Sequence, residues 1–206
     1  YSVGNTENEF PLDPAITYGK LENGFTYYIR ENQTPKDKVS IKLIIKAGSV
    51  MEEENQLGLA HLLEHMAFNG SKNFPKRKID EYMSSIGLNL GSHYNASTGF
   101  LKTSYVYEIP TKNDKDVEVA LKILTDVSKN LSLEPEAFER ERKIVEEEWR
   151  RDIGGSQDYV NEFHEFMFKN SRFNERKPIG TLDIIQNFKY QDVIDYYQKW
   201  YRPQLM

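Results

Sequence analysis

The run His61-Leu62-Leu63-Glu64-His65 concentrates the chemistry of this sequence. On a helix each residue advances by about 100°, so the two imidazoles leave one turn apart, roughly 40° from each other. Glu64 leaves about 60° to the other side of His61, and all three side chains share a sector about 100° wide. Two imidazoles at this spacing can hold one zinc ion, and a carboxylate beside them can hold a water on that ion. The order H-x-x-E-H reverses the H-E-x-x-H pattern. With 4 His in 206 residues, a chance occurrence is expected roughly 0.01 times in this composition. Leu57 and Phe68 fall in the same sector, which turns that face inward. Inward His and Glu need partners, and a metal ion supplies them.

Zinc with a catalytic water in its fourth place needs a third protein ligand. The segment PEAFERERKIVEEEWRRD, from Pro135 to Asp152, offers carboxylates on a helical pattern. With Glu141 set at zero, Val145, Phe138 and Trp149 fall at about +40°, +60° and +80°, and Ala137 and Ile144 at about −40° and −60°. Glu148 falls at about −20°, inside this apolar stripe, while Glu146 and Glu147 fall on the polar side. Helical phase therefore selects Glu141 and Glu148 as the inward carboxylates. His164, among Phe163, Phe166 and Phe168, reads as a packing or surface residue, and His93 as a loop residue near a strand. A third view of the whole pattern is a plain structural domain with a fortuitous helix motif.

The elements that must position these residues follow from periodicity. Residues 1–14 read as an irregular lead-in. Leu21-Glu22-Asn23-Gly24 signals a tight turn before a strand over Phe25 to Arg30. Val39, Ile41, Leu43 and Ile45 make the apolar face of a second strand. Helices are predicted over Leu57 to Phe68 and Arg77 to Ile86, then a strand over Leu101 to Ile109 ended by Pro110. Further helices follow over Asp116 to Leu131, Ser132 to Asp152 (ended by Gly154-Gly155), Tyr159 to Asn170 and Tyr190 to Trp200. Thr181 can cap a short helix carrying Ile184 and Ile185. The order is α+β in class, with helices layered on one sheet. The stop at Met206, just after Trp200-Tyr201-Arg202-Pro203, looks like a chain cut before its next strand.

Composition narrows the function classes. The hydrophobic class is 38% and aromatics 13%, which argues for a folded core despite a mean hydropathy of −0.69. A net charge of −5 argues against a generally basic nucleic-acid binder. Zero Cys removes disulfides, thiolate zinc ligands and thiol catalysis. No apolar run approaches the roughly 18–20 residues of a membrane span. The first residue is Tyr, so a targeting segment would lie outside this sequence.

The run Gly58-Leu59-Ala60-His61-Leu62-Leu63-Glu64-His65-Met66-Ala67-Phe68-Asn69-Gly70-Ser71 resembles the zinc motif of the pitrilysin/insulinase family of metallopeptidases, the inverzincins. Leu21 to Gly24, Ala47-Gly48-Ser49, Asn95-Ala96, Glu141-Arg142 with Glu148, Pro178 to Thr181 and Trp200 to Pro203 are similar to further family elements. Glu147-Glu148-Trp149 is similar to a run that bacterial zinc proteases of this family carry at the same place. The resemblance implies a two-layer α+β domain over 15–206, with a mostly antiparallel sheet covered on one face by helices. It implies Zn2+ held by His61, His65 and Glu148, with Glu64 as general base and Glu141 supporting the site. Asn95 and Ala96 would lie beside a peptide or unfolded polypeptide substrate. The family works as a clamshell, so a C-terminal half of the same protein is the implied partner, and the bacterial members imply a periplasmic or otherwise exported protein. Two departures stand out: the spacing from His65 to Glu148 is a few residues longer than usual, and Ser97-Thr98-Gly99-Phe100 stands where a Tyr-Thr pair is common. The alternative within the same fold is a non-catalytic peptide-binding or scaffold subunit.

Overall fold

A computed structural model of the chain describes residues 12–151 and 156–206. Most of the lead-in and the expected helix stop at Gly154-Gly155 therefore lie outside the described residues. Five strands occur among the described residues: β1 (Ile16–Lys20), β2 (Thr26–Arg30), β3 (Lys38–Ile45), β4 (Tyr94–Thr98) and β5 (Thr103–Pro110). The helices are α1 (Leu59–Met66), α2 (Lys78–Ser85), α3 (Asp114–Lys129), α4 (Pro135–Arg151), α5 (Ser156–Phe168), α6 (Arg172–Glu175), α7 (Leu182–Asn187) and α8 (Tyr190–Trp200).

β1 and β2 form an antiparallel hairpin across the turn 21–24, where Gly24 adopts φ +91°. β3, β5 and β4 form an antiparallel sheet in that order, with Leu43 opposite Tyr105 and Ile41 opposite Tyr107. The period-2 pattern of β3 behaves as expected: Leu43 and Ile45 are buried, while Lys42 and Ile44 are exposed. Residues 205 and 206 tie the hairpin to the sheet, since Lys46 N–H donates to Leu205 O (2.7 Å) and Thr26 N–H donates to Met206 O (3.3 Å).

Two strands were not anticipated. β1 follows from the hairpin turn but carries a Gly that weakens its pattern. Residues 94–98, over which no strand was predicted, form β4, which pairs with β5 from Tyr94↔Tyr107 to Thr98↔Thr103. An edge strand is held by backbone hydrogen bonds on one side only, so its side chains need not look strand-like. The strand after it starts at Thr103 rather than Leu101, and Pro110 is its last residue rather than a stop outside it. The pyrrolidine ring is tolerated there because Pro110 sits at the strand's end.

α1 is the buried centre of the helical layer. Leu59, Ala60, Leu62, Leu63 and Met66 are all essentially inaccessible, and the helix packs on β4 on one side and on α4 and α8 on others. Burial of four large apolar side chains at about 1.5–3 kcal/mol each makes this short helix a product of packing rather than of propensity. No helix among the described residues is long and apolar enough to cross a membrane.

Candidate metal centre

α1 starts at Gly58, whose φ of +98° is left-handed, and its first turn is closed by a side chain from outside the helix. Glu52 accepts from Gly58 N–H (2.9 Å) and Ala60 N–H (2.8 Å). Those groups have no intrahelical partner, so the carboxylate replaces water there. Glu52 is fully buried, and burial pushes its pKa up to about 8 despite the two backbone bonds and the nearby Arg176. Arg172 and Arg176 both donate to the Glu52 carbonyl (2.6 and 3.0 Å), and Arg176 also pairs with Glu54. The loop 178–181 presses on the same turn, with Gly180 so close that a Cβ there would lie 2.2 Å from Leu57 O. Sequence reading had no signal for Glu52 beyond its acidity, because capping at a distance of six residues leaves no periodic trace.

The helix so anchored presents His61 and His65 to α4 and Glu64 to β4. His61 Nε2 and His65 Nε2 lie 3.2 Å apart. Glu148 Oε2 lies 3.6 Å from the first and 3.5 Å from the second. The three donor atoms thus form a triangle of nearly equal edges, and they are the group of metal-capable atoms found among the described residues. Bond lengths of about 2.0–2.2 Å at tetrahedral angles separate zinc ligands by about 3.3–3.6 Å, close to these edges. Three electron-rich atoms at such distances repel one another unless a cation or a proton lies among them. His61 Nδ1 is buried without a protein partner, so no protein acceptor draws this ring away from the centre. The residues present therefore fit a zinc ion.

Glu141 lies behind this triangle. Its Oε2 is 3.4 Å from His65 Nδ1, and its Oε1 is 3.5 Å from Arg140 Nε. A carboxylate on the far nitrogen of a ligating imidazole fixes the ring's tautomer and raises its basicity. The electrostatics separate the two imidazoles. Burial, with His65 next to it, lowers the pKa of His61 to about 4, so this ring is neutral and ready to ligate. Burial also acts to lower that of His65, but the Glu141 hydrogen bond and the Glu148 and Glu64 charges outweigh it and raise the value.

On α4 Glu141 is buried and Glu148 half-buried, and both reach the α1 imidazoles. Glu147 is exposed as expected. Glu146 is more covered than the phase suggests, because it leans on Arg150 (3.4 Å), but it does not reach the triangle. His164 stacks on Phe100 with ring centroids 5.3 Å apart, the packing residue it was read as. His93 lies in the turn before β4, where its Nδ1 accepts from Asn89 N–H (3.2 Å).

Glu64 is 8% exposed. Burial raises its pKa, opposed by a hydrogen bond from Thr98 and by the charge of His65. That bond runs from Thr98 Oγ1 to Glu64 Oε2 at 2.6 Å. Sequence reading named Thr98 only within a departure from the family pattern and gave it no role. The alternation of Ala96 and Thr98 would have placed it on the α1 side, had residues 94–98 been recognised as a strand. Two cavities flank Glu64. One of about 1140 Å³ is lined by His65, Phe68, Asn95, Arg140 and Glu141 among others. One of about 280 Å³ is lined by His61, Ala96, Ser97, Thr98 and Ile179. β4 runs along both; on its edge away from β5, Tyr94 O accepts from Gly91 N–H (2.8 Å), and no strand pairs with that edge among the described residues. The expected substrate neighbours Asn95 and Ala96 therefore lie one in each cavity wall.

Known proteins carry the same arrangement of chain. A probable zinc protease, PqqL, of Haemophilus influenzae is 39% identical over 199 residues, covering 97% of this chain and 22% of that protein. The crystal structure of the periplasmic protease PqqL from Escherichia coli superposes with a TM-score of 0.92 at 34% identity, covering 95% of this chain and 22% of that one. A separate crystal structure of the first half of that protease gives the same TM-score, and this chain covers 42% of it. The chain thus spans about a fifth of the length of the curated relatives it matches. The profile described as Insulinase (Peptidase family M16) matches residues 27–178, and with that match the chain belongs to the insulinase family of peptidases.

Proposed function

We propose that the chain is the zinc-bearing domain, over 15–206, of an endopeptidase that hydrolyses peptides or unfolded polypeptides. The observation that carries this reading is the set of three donor atoms from His61, His65 and Glu148 within 4.8 Å of one another, with the buried Glu64 carboxylate on the same helix. His61, His65 and Glu148 hold the ion, and Glu141 keeps His65 oriented through Nδ1. When bound, zinc supplies Lewis-acid activation of a water and stabilises negative charge on the scissile carbonyl oxygen. Glu64 takes the water's proton and returns it to the leaving amine nitrogen. Burial raises its pKa, the direction that favours accepting a proton. The free edge of β4 at Asn95 and Ala96 receives the substrate as an added strand, which selects for extended backbone rather than for a strict sequence.

The length of the relatives supports a partner in a C-terminal half of the same protein, closing over the site and excluding water. The periplasmic relative supports an exported location. The test is Glu64→Gln in the full-length polypeptide, assayed on an unfolded protein and on a quenched fluorescent peptide. The variant keeps one zinc per chain and loses cleavage. Turnover at the wild-type rate would refute the general-base role.

A further inference from the structure

We propose that Thr98 is a positioning residue: its hydroxyl holds Glu64 so that one carboxylate oxygen, Oε1, takes up and returns the proton. The inference rests on the peptidase reading above and deepens it.

The polarity of the bond is fixed by chemistry. An ionised carboxylate can only accept, so Thr98 Oγ1 donates to Glu64 Oε2. At 2.6 Å the bond lies in the range of charge-assisted O–H···O⁻ bonds. The hydroxyl has one proton, and its other acceptor, Ala60 O, is 3.5 Å away, too far to compete. The Thr98 N–H also bonds this carboxylate; with Oε2 held by the hydroxyl, Oε1 is the oxygen assigned to the water. When Glu64 has taken the proton on Oε1, Oε2 is a carbonyl-like acceptor and the Thr98 bond persists. The proton is then held on the oxygen that must deliver it.

Thr98 can do this because its own place is rigid. It ends β4 opposite Thr103. The turn that follows is pinned by Ser49 N–H to Gly99 O (3.1 Å) and Val50 N–H to Phe100 O (3.0 Å). Phe100 is wedged beside His164 and Phe173, with ring centroids 5.3 and 5.4 Å away. The β-branched side chain adds a stiff χ1. Period-2 alternation puts Tyr94, Ala96 and Thr98 on the face that meets α1, with Asn95 and Ser97 on the other. The strand that offers its edge to substrate is therefore the strand that sets the base. A substrate segment paired with β4 stiffens the support of Glu64 as it binds.

The test uses the zinc-loaded full-length polypeptide with Thr98→Val, which keeps the shape and removes the hydroxyl, and Thr98→Ser, which keeps the hydroxyl. Thr98→Val is expected to keep one zinc and its thermal midpoint, to leave KM within about three-fold, and to lower kcat by about 10- to 100-fold. Thr98→Ser is expected to recover kcat to within about five-fold of wild type. A crystal structure of Thr98→Val is expected to show the Glu64 carboxylate turned from its wild-type orientation. Wild-type kcat in Thr98→Val, equal losses in Val and Ser, or loss of zinc in Thr98→Val would each overturn the inference. Glu64→Gln is measured beside them. If it is inactive while Thr98→Val is fully active, the inference fails and the peptidase reading stands. If Glu64→Gln cleaves at the wild-type rate, that reading fails first.

Discussion

Replacing Glu141 by Gln removes one negative charge behind the metal triangle while leaving the shape of the side chain. The carboxylate is 7% exposed, with Oε2 3.4 Å from His65 Nδ1. The amide oxygen can still accept from Nδ1–H, so the ring keeps its orientation and loses the charge that raises its basicity. Partners in this position contribute about 10- to 100-fold to metal affinity, or about 1.4–2.7 kcal/mol. Glu148→Gln removes a ligand atom itself and must cost more than about 100-fold. Glu147→Gln alters an exposed residue paired only with Arg150 and must cost nothing measurable. The assay is competition for zinc against a chromophoric chelator at neutral pH, with all three variants in parallel. The account requires the order Glu148, Glu141, Glu147. Equal losses for Glu147→Gln and Glu148→Gln would refute the helical-phase reasoning, and an unchanged Glu141→Gln would refute the role given to its charge.

Other consequences follow from the anchoring of α1. Glu52 has a folded pKa of about 8 against an ordinary 4.5, so the folded state binds its proton more tightly than the unfolded state. Its contribution to stability is complete below pH 4.5 and is lost as pH rises toward 8, at up to about 1.4 kcal/mol per pH unit. Urea melts across that window are expected to show the slope in wild type and its loss in Glu52→Gln; an identical slope in both would contradict the assignment. Gly180→Ala puts a Cβ 2.2 Å from Leu57 O and 2.6 Å from Gly58 Cα, at a φ of +75°. The left-handed backbone alone costs about 1–2 kcal/mol, so the melting midpoint is expected to fall by more than about 4 °C, with weaker zinc binding as the start of α1 shifts. An unchanged midpoint would show that the loop is not packed as described. Zinc affinity is expected to fall as pH is lowered through the raised pKa of His65, because zinc and a proton compete for Nε2. His61, already neutral above about pH 4, adds nothing to that dependence in the neutral range.

How far the sequence speaks depends on what carries each element. α1 and α4 were legible because apolar residues at helical spacing also set the phase of the polar ones. Glu141 and Glu148 could be chosen over Glu146 and Glu147 on that ground alone. β3 was legible because only one of its faces is buried. β4 was not, since Tyr94-Asn95-Ala96-Ser97-Thr98 pairs through its backbone to β5 and has mixed side chains. Missing the strand hid Thr98, whose role depends on which way the strand faces. Glu52, Arg172 and Arg176 were equally hidden, because their bonds join segments about 120 residues apart. Such contacts are products of the fold and leave no local pattern.

The central claim is that His61, His65 and Glu148 hold one zinc ion. Zinc content by elemental analysis, combined with X-ray absorption at the zinc edge on the purified protein, tests it most directly. The account predicts one zinc per chain with two imidazole nitrogens and oxygen donors at about 2.0–2.2 Å, and loss of the ion in His65→Ala. A protein without zinc, or one that keeps it unchanged in His65→Ala, would contradict the claim.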